Sequence, residues 1–306
     1  MAANTKKMKC VQWNARGLTK SKLEEFKKFL SSTSPEIVFI SESHWSSSFN
    51  VRFRSYHILK KDRAQRMGGG VALLIHKSVQ FLPLKCYSSD TVEAIGATIL
   101  TKNTGNIDVI SVYVPKGNCD TEEVKALFNV QNKFIIAGDF NAHHDIWERD
   151  CTRNRSGQAI ADTLFEHPDA HLITPKDLGT RVNPSNAKLS TIDLIFASAS
   201  LALSASISLG PYMGSDHLPI ITDFNATPSP ATNRAPAWIF NEKKWGIWNT
   251  ELASSLKNAD FISTTAPETA FSIFTHEIIA SSNRNFRMRK SSSKVNSEPG
   301  RPWWDD

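Results

Sequence analysis

Hydrophobic residues in this chain recur mainly in short runs with a two-residue alternation, which predicts β-strands. The runs are bounded by glycine, proline, asparagine or serine, residues that favour turns. The predicted strands are residues 8–13, 37–41, 56–59, 71–76, 94–100, 107–114, 134–137, 191–197, 205–209 and 218–224. A turn at 102–105 (KNTG) joins two of them as a hairpin.

Three segments have helical spacing instead. Residues 21–30 place Leu23, Phe26 and Leu30 on one face, and residues 121–129 and 157–165 are similarly amphipathic. Many short strands with few interspersed helices predict an α/β sandwich rather than a regular alternation of strand and helix.

The chain changes character near Asn225. We expect a first domain over residues 1–225 and a Pro/Ser/Ala-rich linker over 226–237. Residues 238–306 form a tryptophan-containing extension, partly helical or disordered. Its segment 281–301 is rich in serine, arginine and lysine, typical either of a solvated tail or of a nucleic-acid contact.

Composition narrows the classes of function. The 306 residues are 40% hydrophobic and 22% charged, as in ordinary globular proteins, and the net charge of +6 favours an anionic partner such as nucleic acid or phosphate. No apolar run is long enough to span a bilayer, so we expect an intracellular protein without a membrane partner. The four cysteines form no CxxC motif, which argues against a zinc site or a disulfide framework.

The most informative stretch is residues 138–141 (GDFN), which follows the apolar run 134–137. Alternation at a strand end aims Asp139 and Asn141 the same way, and together they can hold a water, a phosphate oxygen or a hard cation. Residues 40–43 (ISES) and 215–220 (SDHLPI) also place acidic or imidazole groups at strand edges. Three such edges indicate a single site.

Two further features of the sequence have competing interpretations. His143 and His144 suggest zinc, but adjacent histidines diverge on most backbones, and we favour surface or DNA contact. Trp147 is either a core residue or a side chain that stacks on a base.

Six ordered motifs resemble those of the endonuclease/exonuclease/phosphatase family, which includes exonuclease III. They are residues 12–14 (QWN), 41–43 (SES), 111–115 (SVYVP), 138–141 (GDFN), 191–195 (TIDLI) and 214–217 (GSDH). The similarity covers about residues 8–224. Residues 68–72 and 139–147 look most like the endonuclease domain of non-LTR retrotransposons. The resemblance implies a four-layer α/β/β/α sandwich of two packed mixed β-sheets flanked by helices.

The resemblance also implies a Mg²⁺-dependent hydrolysis of phosphodiester bonds, with Mn²⁺ as a substitute. Family residues matching Asp139 deprotonate the attacking water, and those matching Asn141 hold the phosphate. His217, fixed by Asp193, donates to a phosphate oxygen, and Tyr113 supplies a phenolic donor. The implied metal residues are Glu42, Asn14 and Asp216.

One departure from the family concerns DNA contact. Repair members usually carry an acidic residue two positions after the asparagine of the first motif, where this chain has Arg16. We expect Arg16, His143 and Trp147 to contact DNA.

The sequence therefore predicts a DNA endonuclease of retrotransposon type, acting in the nucleus and leaving a 3′-hydroxyl that primes reverse transcription. Its basic tail would contact the element RNA. One alternative is a repair endonuclease that cuts abasic sites. Another is an inactive remnant that binds nucleic acid without cutting it.

Overall fold

Short strands dominate the first 231 residues in the computed structural model, which describes residues 7–46, 51–63, 68–231, 237–258 and 267–289. The elements of this part are β1 (Met8–Asn14), α1 (Lys20–Thr33), β2 (Ile37–Ser41), β3 (Tyr56–Lys61), β4 (Val71–His76), β5 (Phe81–Leu84), β6 (Glu93–Ile99), β7 (Ile107–Tyr113), α2 (Thr121–Phe128), β8 (Lys133–Asp139), α3 (Arg155–Glu166), β9 (Ala170–Leu172), β10 (Arg181–Val182), β11 (Leu189–Ser190), β12 (Asp193–Ser198), α4 (Ala199–Ala202), β13 (Ser206–Leu209) and β14 (Ile220–Phe224).

These strands form two six-stranded mixed sheets. The first has the order β13-β14-β1-β2-β4-β3 and the second the order β5-β6-β7-β8-β12-β9. The central pairs β1–β2 and β7–β8 are parallel, and their neighbours are antiparallel. A separate hairpin, β10–β11, lies outside both sheets.

The central strands of both sheets are buried on both faces, which explains their nearly continuous apolar runs. Met8, Phe39 and Leu73 from one sheet pack with Val109 and Ile135 from the other in a central apolar layer. The side chains that alternate with these along each strand lie on the outer face of each sheet. Those of the first sheet pack on α1 and those of the second on α2 and α3. The result is the predicted four-layer α/β/β/α sandwich.

The structure differs from the expected linker over residues 226–231, which are packed against the first unit. Residues 226–231 lie along the edge of the second sheet, where Gln80 and Lys102 donate backbone hydrogen bonds to Ser229 and Thr227. Ala226 is completely buried. The chain divides into compact units at Met1–Ala231 and Thr232–Asp306, because these edge bonds bind residues 226–231 to the first unit.

The second unit contains an antiparallel strand pair, β15 (Ala237–Ile239) and β16 (Arg287–Arg289), and two helices, α5 (Glu242–Asn258) and α6 (Pro267–Asn285). Trp245, Trp248 and Phe286 form an aromatic cluster within it. Most of the predicted basic tail, residues 290–301, lies outside the described residues. Among the helices that the structure describes in either unit, none is long and apolar enough to cross a membrane.

Candidate active site

The central layer between the two sheets changes from apolar to polar at one end. On β8 the inward-facing side chains are Ile135, Ala137 and then Asp139, as the two-residue alternation requires. The neighbouring strands also change from apolar to polar side chains near this end of the layer. The buried polar residues at this end include Gln12, Asn14, Ser41, Ser111, Asp139 and Asp193.

Strand register brings three of the expected residues side by side. Asp139, the last residue of β8, is the register partner of Tyr113 on β7 and of Asp193 on β12. Ser41 links the two sheets here: its hydroxyl donates to Val112 O (2.8 Å) and accepts from Asp139 N–H (3.2 Å). The position of Asp139 is therefore fixed through its backbone as well as its side chain.

The chain adopts left-handed backbone at three places just beyond these strand ends. Arg16, Glu42 and Asn141 have φ angles of 43°, 49° and 45°. Such angles are uncommon for residues other than glycine, and each costs roughly 1–3 kcal/mol. Strain of this kind is concentrated at functional sites.

Asn14 connects the carboxylates of the two sheets. Its side-chain N–H₂ group donates to Glu42 Oε1 (2.9 Å) and to Asp139 Oδ2 (2.7 Å), while its Oδ1 accepts from the backbone of Arg16 (2.9 Å). In this orientation the amide links two acidic groups and offers them hydrogens rather than an oxygen ligand.

The surroundings of Glu42 favour its ionised form. Burial opposes ionisation, but hydrogen bonds from Asn14, His44 and Tyr113 outweigh it and lower the pKa of the carboxyl. The His44 contact joins Nε2 to Glu42 Oε2 at 3.1 Å.

The pKa of Asp139 is shifted in the opposite direction, upwards. Its complete burial and the negative charge of Asp193 raise its pKa, although His217, Asn141 and Asn14 partly offset them. A carboxylate with a raised pKa has the basicity required to accept a proton from water near neutral pH.

His217 and Asp193 form a buried ion pair. His217 Nδ1 donates to Asp193 Oδ2 at 2.7 Å, and Gln12 Nε2 donates to Asp193 Oδ1 at 2.8 Å. Burial favours a neutral ring, but the charge of Asp193 and its hydrogen bond raise the pKa of His217 to about 9. The ring therefore carries a positive charge at neutral pH.

Asp216 lies beside this pair, and its two oxygens have different surroundings. Oδ2 accepts from Arg16 Nη1 (2.7 Å) and Arg181 Nε (3.0 Å), whereas Oδ1 is buried without a hydrogen-bond partner in the described part of the chain. The two guanidinium groups outweigh partial burial and lower the pKa of this carboxyl.

Tyr113 and Asn141 border the same space. Burial and the charges of Glu42 and Asp139 raise the pKa of Tyr113, so its hydroxyl remains protonated and able to donate. Asn141 Nδ2 donates to Val114 O (3.1 Å) and Asp139 Oδ2 (3.2 Å).

Trp147, expected to contact DNA, is a core residue in this structure. Its side chain is completely buried, its Nε1 donates to Ala142 O (3.2 Å), and it packs in the layer beneath the second sheet. It cannot stack on a base, because the irregular segment that carries it turns the indole inwards. His143 is partly exposed, and its Nδ1 lies 2.7 Å from Oε2 of the buried Glu148.

The residues present fit a hard divalent cation. Glu42 and Asp139 offer carboxylate oxygens and are joined by Asn14, and such oxygens are the preferred ligands of Mg²⁺. Asp139, Asp193 and His217 also bring a ligand atom each within 4.8 Å of one another. In that group the His217 nitrogen already binds Asp193 through a proton, so we assign the cation to the Glu42 side.

Four residues support the site without having been predicted as site residues. Gln12 and Ser41 enter the sequence argument only as members of motifs, although alternation on β1 places Gln12 on one face with Asn14. His44 follows Glu42 by two residues, a spacing that could have identified it. No pattern in the sequence indicated Arg181, because its hairpin lies outside both sheets.

Comparison with known proteins identifies proteins that are similar to this chain. A family described as "Endonuclease-reverse transcriptase" matches residues 107–221. The probable RNA-directed DNA polymerase from transposon X-element of Drosophila melanogaster is 28% identical over 227 residues, 72% of this chain and 24% of that protein. The chain thus spans about a quarter of the length of this curated relative.

Two solved structures share the fold. The endonuclease domain of TRAS1, a telomere-specific non-LTR retrotransposon, has a TM-score of 0.59 at 15% identity, covering 72% of this chain and 98% of that one. The catalytic domain of Xenopus laevis APE2 has a TM-score of 0.58 at 18% identity, covering 74% and 94%. At these identities the similarity establishes the architecture alone.

Proposed function

We propose that this chain belongs to the endonuclease/exonuclease/phosphatase family and is a Mg²⁺-dependent DNA endonuclease, because it is similar in sequence to a transposon protein and in fold to a retrotransposon endonuclease domain. The nick would leave a 3′-hydroxyl that primes reverse transcription. The observation that carries the proposal is the buried group of Asn14, Asp139, Asp193 and His217 beside Glu42, joined across the two sheets by hydrogen bonds.

Glu42 would hold the cation, and Asn14 would keep this carboxylate in place beside Asp139. When bound, Mg²⁺ would supply positive charge that polarises the phosphodiester and stabilises the departing oxygen. Mn²⁺ accepts the same oxygen ligands and would substitute for it.

Asp139 would accept the proton of the attacking water. Its raised pKa makes it a stronger base than an ordinary carboxylate, and Asn14 and Asn141 hold it on both sides. Asn141 would bind the phosphate through its side-chain N–H₂ group, which is the donor that a neighbouring carboxylate cannot provide.

His217 would donate to a non-bridging phosphate oxygen as negative charge accumulates there. Asp193 holds Nδ1, which leaves Nε2 for the substrate, and keeps the ring cationic. Tyr113, protonated and beside Glu42, would donate to the phosphate or to the leaving oxygen.

DNA is the proposed substrate because the net charge is +6 and the curated relative is an RNA-directed DNA polymerase of a transposon. Contact of Arg16 and His143 with DNA belongs to this proposal, as do RNA binding by the basic tail and a nuclear location. An abasic-site endonuclease is the second candidate, since an AP endonuclease from Archaeoglobus fulgidus has the same fold.

Paired duplex oligonucleotides would separate these two functions. One duplex is undamaged and the other carries a single abasic site, and each is incubated with the intact chain and Mg²⁺. We expect cleavage of the undamaged duplex and extension of the products by a DNA polymerase, which requires a 3′-hydroxyl. Cleavage confined to the abasic duplex would indicate a repair function, and binding without cleavage would indicate an inactive remnant.

A further inference from the structure

Two arginines converge on one buried carboxylate beside His217. Arg16 Nη1 and Arg181 Nε both donate to Oδ2 of Asp216, at 2.7 and 3.0 Å. Two positive charges thus meet one negative charge, and the group carries a net charge of +1.

Both arginines are held by the backbone around them. Lys22 on α1 donates to the carbonyl oxygens of Ala15 (2.8 Å) and Arg16 (3.0 Å), which fixes the left-handed turn after β1. Arg181 forms a β-bridge with His217, and the adjoining Val182 N–H donates to Asp216 O (2.8 Å). The backbone at both arginines is therefore held in place, and Lys22 adds a third positive charge nearby.

Exposure differs sharply within this group. The side chains of Arg16 and Arg181 are 54% and 31% exposed, but that of Asp216 is only 7% exposed. Each guanidinium carries five N–H donors. Asp216 is the only acceptor that either side chain has among the described residues, so the remaining donors face solvent.

Two other exposed arginines in the described part, Arg149 and Arg153, lack this surplus. Arg149 pairs with Asp177 and Arg153 pairs with Asp145, one acid to one base in each case. Their charges cancel, and an approaching phosphate would have to compete with the carboxylate of the pair.

We propose that Arg16 and Arg181 form a binding site for one DNA phosphate next to the phosphate that is cut, with Asp216 as their anchor. The site rests on the proposed function and adds Arg181 to it. It also gives Asp216 a role other than metal ligand, because its Oδ2 already accepts from both guanidinium groups, and their positive charges would repel a divalent cation at the remaining oxygen, Oδ1. Planar guanidinium forks match the geometry of phosphate oxygens.

The salt dependence of DNA binding tests the site. Binding of an undamaged duplex oligonucleotide would be measured by fluorescence anisotropy between about 50 and 200 mM salt, in the Asp139→Asn background to prevent cleavage. For Arg16→Gln and for Arg181→Gln we expect the slope of log K against log salt to fall by about 1. Arg181→Lys should keep the slope, because it keeps the charge.

Arg149→Gln is the matched control and should leave the slope unchanged, since its charge is already cancelled by Asp177. Unchanged slopes for both Arg16→Gln and Arg181→Gln would overturn the proposal. If the unmodified chain still nicks DNA in that case, the proposed function stands and only the phosphate site fails.

Binding of Mn²⁺, followed by electron paramagnetic resonance without DNA, tests the role of Asp216. We expect Asp216→Asn to bind Mn²⁺ as the unmodified chain does and Glu42→Gln to lose at least about tenfold in affinity. Loss of Mn²⁺ binding in Asp216→Asn would contradict the anchor role and identify a metal ligand.

Discussion

At the scale of single residues, the site divides its charges between groups whose pKa values move in opposite senses. Hydrogen bonds lower the pKa of Glu42. Burial raises the pKa of Asp139, and the charge of Asp193 raises the pKa of His217. Glu42 is thus available to a cation, Asp139 is basic, and His217 is cationic. These shifts depend on residues distant in sequence that share one buried space, with local contributions from His44 to Glu42 and from Asn141 to Asp139.

Stability should fall as pH rises in the absence of divalent ions. The folded state raises the pKa of His217 to about 9, so its stabilising effect is complete below the unfolded value and is lost as pH rises through about 9. Asp139 acts in the same direction, because folding also favours its protonated form. Urea unfolding in EDTA at about pH 6 and about pH 9 would measure the change.

Asp139→Asn is the informative comparison in that experiment, since it should remove the part of the pH dependence that is due to Asp139. The exposed Asp90→Asn is its control and should follow the unmodified chain. A folded state that gains stability between the two pH values would contradict the ionisation states assigned to the site.

At the scale of secondary-structure elements, the strands determine which side chains can meet. Asp139, Tyr113 and Asp193 are adjacent because β7, β8 and β12 are neighbours in register, although β12 follows β8 only after a helix and several short strands. A close approach between β7 and β8 at Gly138 belongs to this arrangement. A Cβ atom at Gly138 would overlap the carbonyl oxygen of Val112.

Gly138→Ala should therefore destabilise the first unit by about 3 kcal/mol and displace Asp139. Gly105→Ala provides a contrast, because its Cβ would meet no atom within 4 Å and only its left-handed φ of 80° opposes the change, at about 1 kcal/mol. Chemical denaturation of both variants would measure the difference. Equal losses in the two would show that the approach of the strands is not the limiting contact.

Alternation predicted most of this architecture, because strands buried on both faces leave clear apolar runs. It also identified the strand ends that carry Asp139 and Glu42 and the segment 215–220 that carries Asp216 and His217, whereas the role of Asp193 came from the family resemblance. It could not show that Trp147 points into the core, since the segment around it has no regular period, and it missed the edge strand β5, which contains Pro83. Arg181 depends on a contact with Asp216, 35 residues away, which no local pattern encodes.

At the scale of the whole molecule, every residue of the proposed active site lies in the first unit. That unit extends to Ala231, and its final residues are bound by backbone hydrogen bonds to Ser78, Gln80 and Leu100. The residues to which we assign the proposed chemistry therefore all belong to the first unit.

A chain that ends after Ala231 should fold and nick DNA at about the rate of the intact chain. A chain that ends after Asn225 should be less stable by about 1–3 kcal/mol, because it exposes edge groups that residues 226–231 satisfy. Thermal unfolding and a nicking assay on both chains would test this. Loss of nicking in the longer one, with its fold intact, would assign the second unit a part in catalysis.

The most direct test of the proposed function is the nicking of supercoiled plasmid by the intact chain in Mg²⁺. We expect conversion to the open-circular form, no conversion in EDTA, and a rate at least about 100-fold lower for Asp139→Asn, with Asp90→Asn unaffected. Nicking by Asp139→Asn at the rate of the unmodified chain, or binding of the plasmid without any nicking, would contradict the assignment of this site to DNA cleavage.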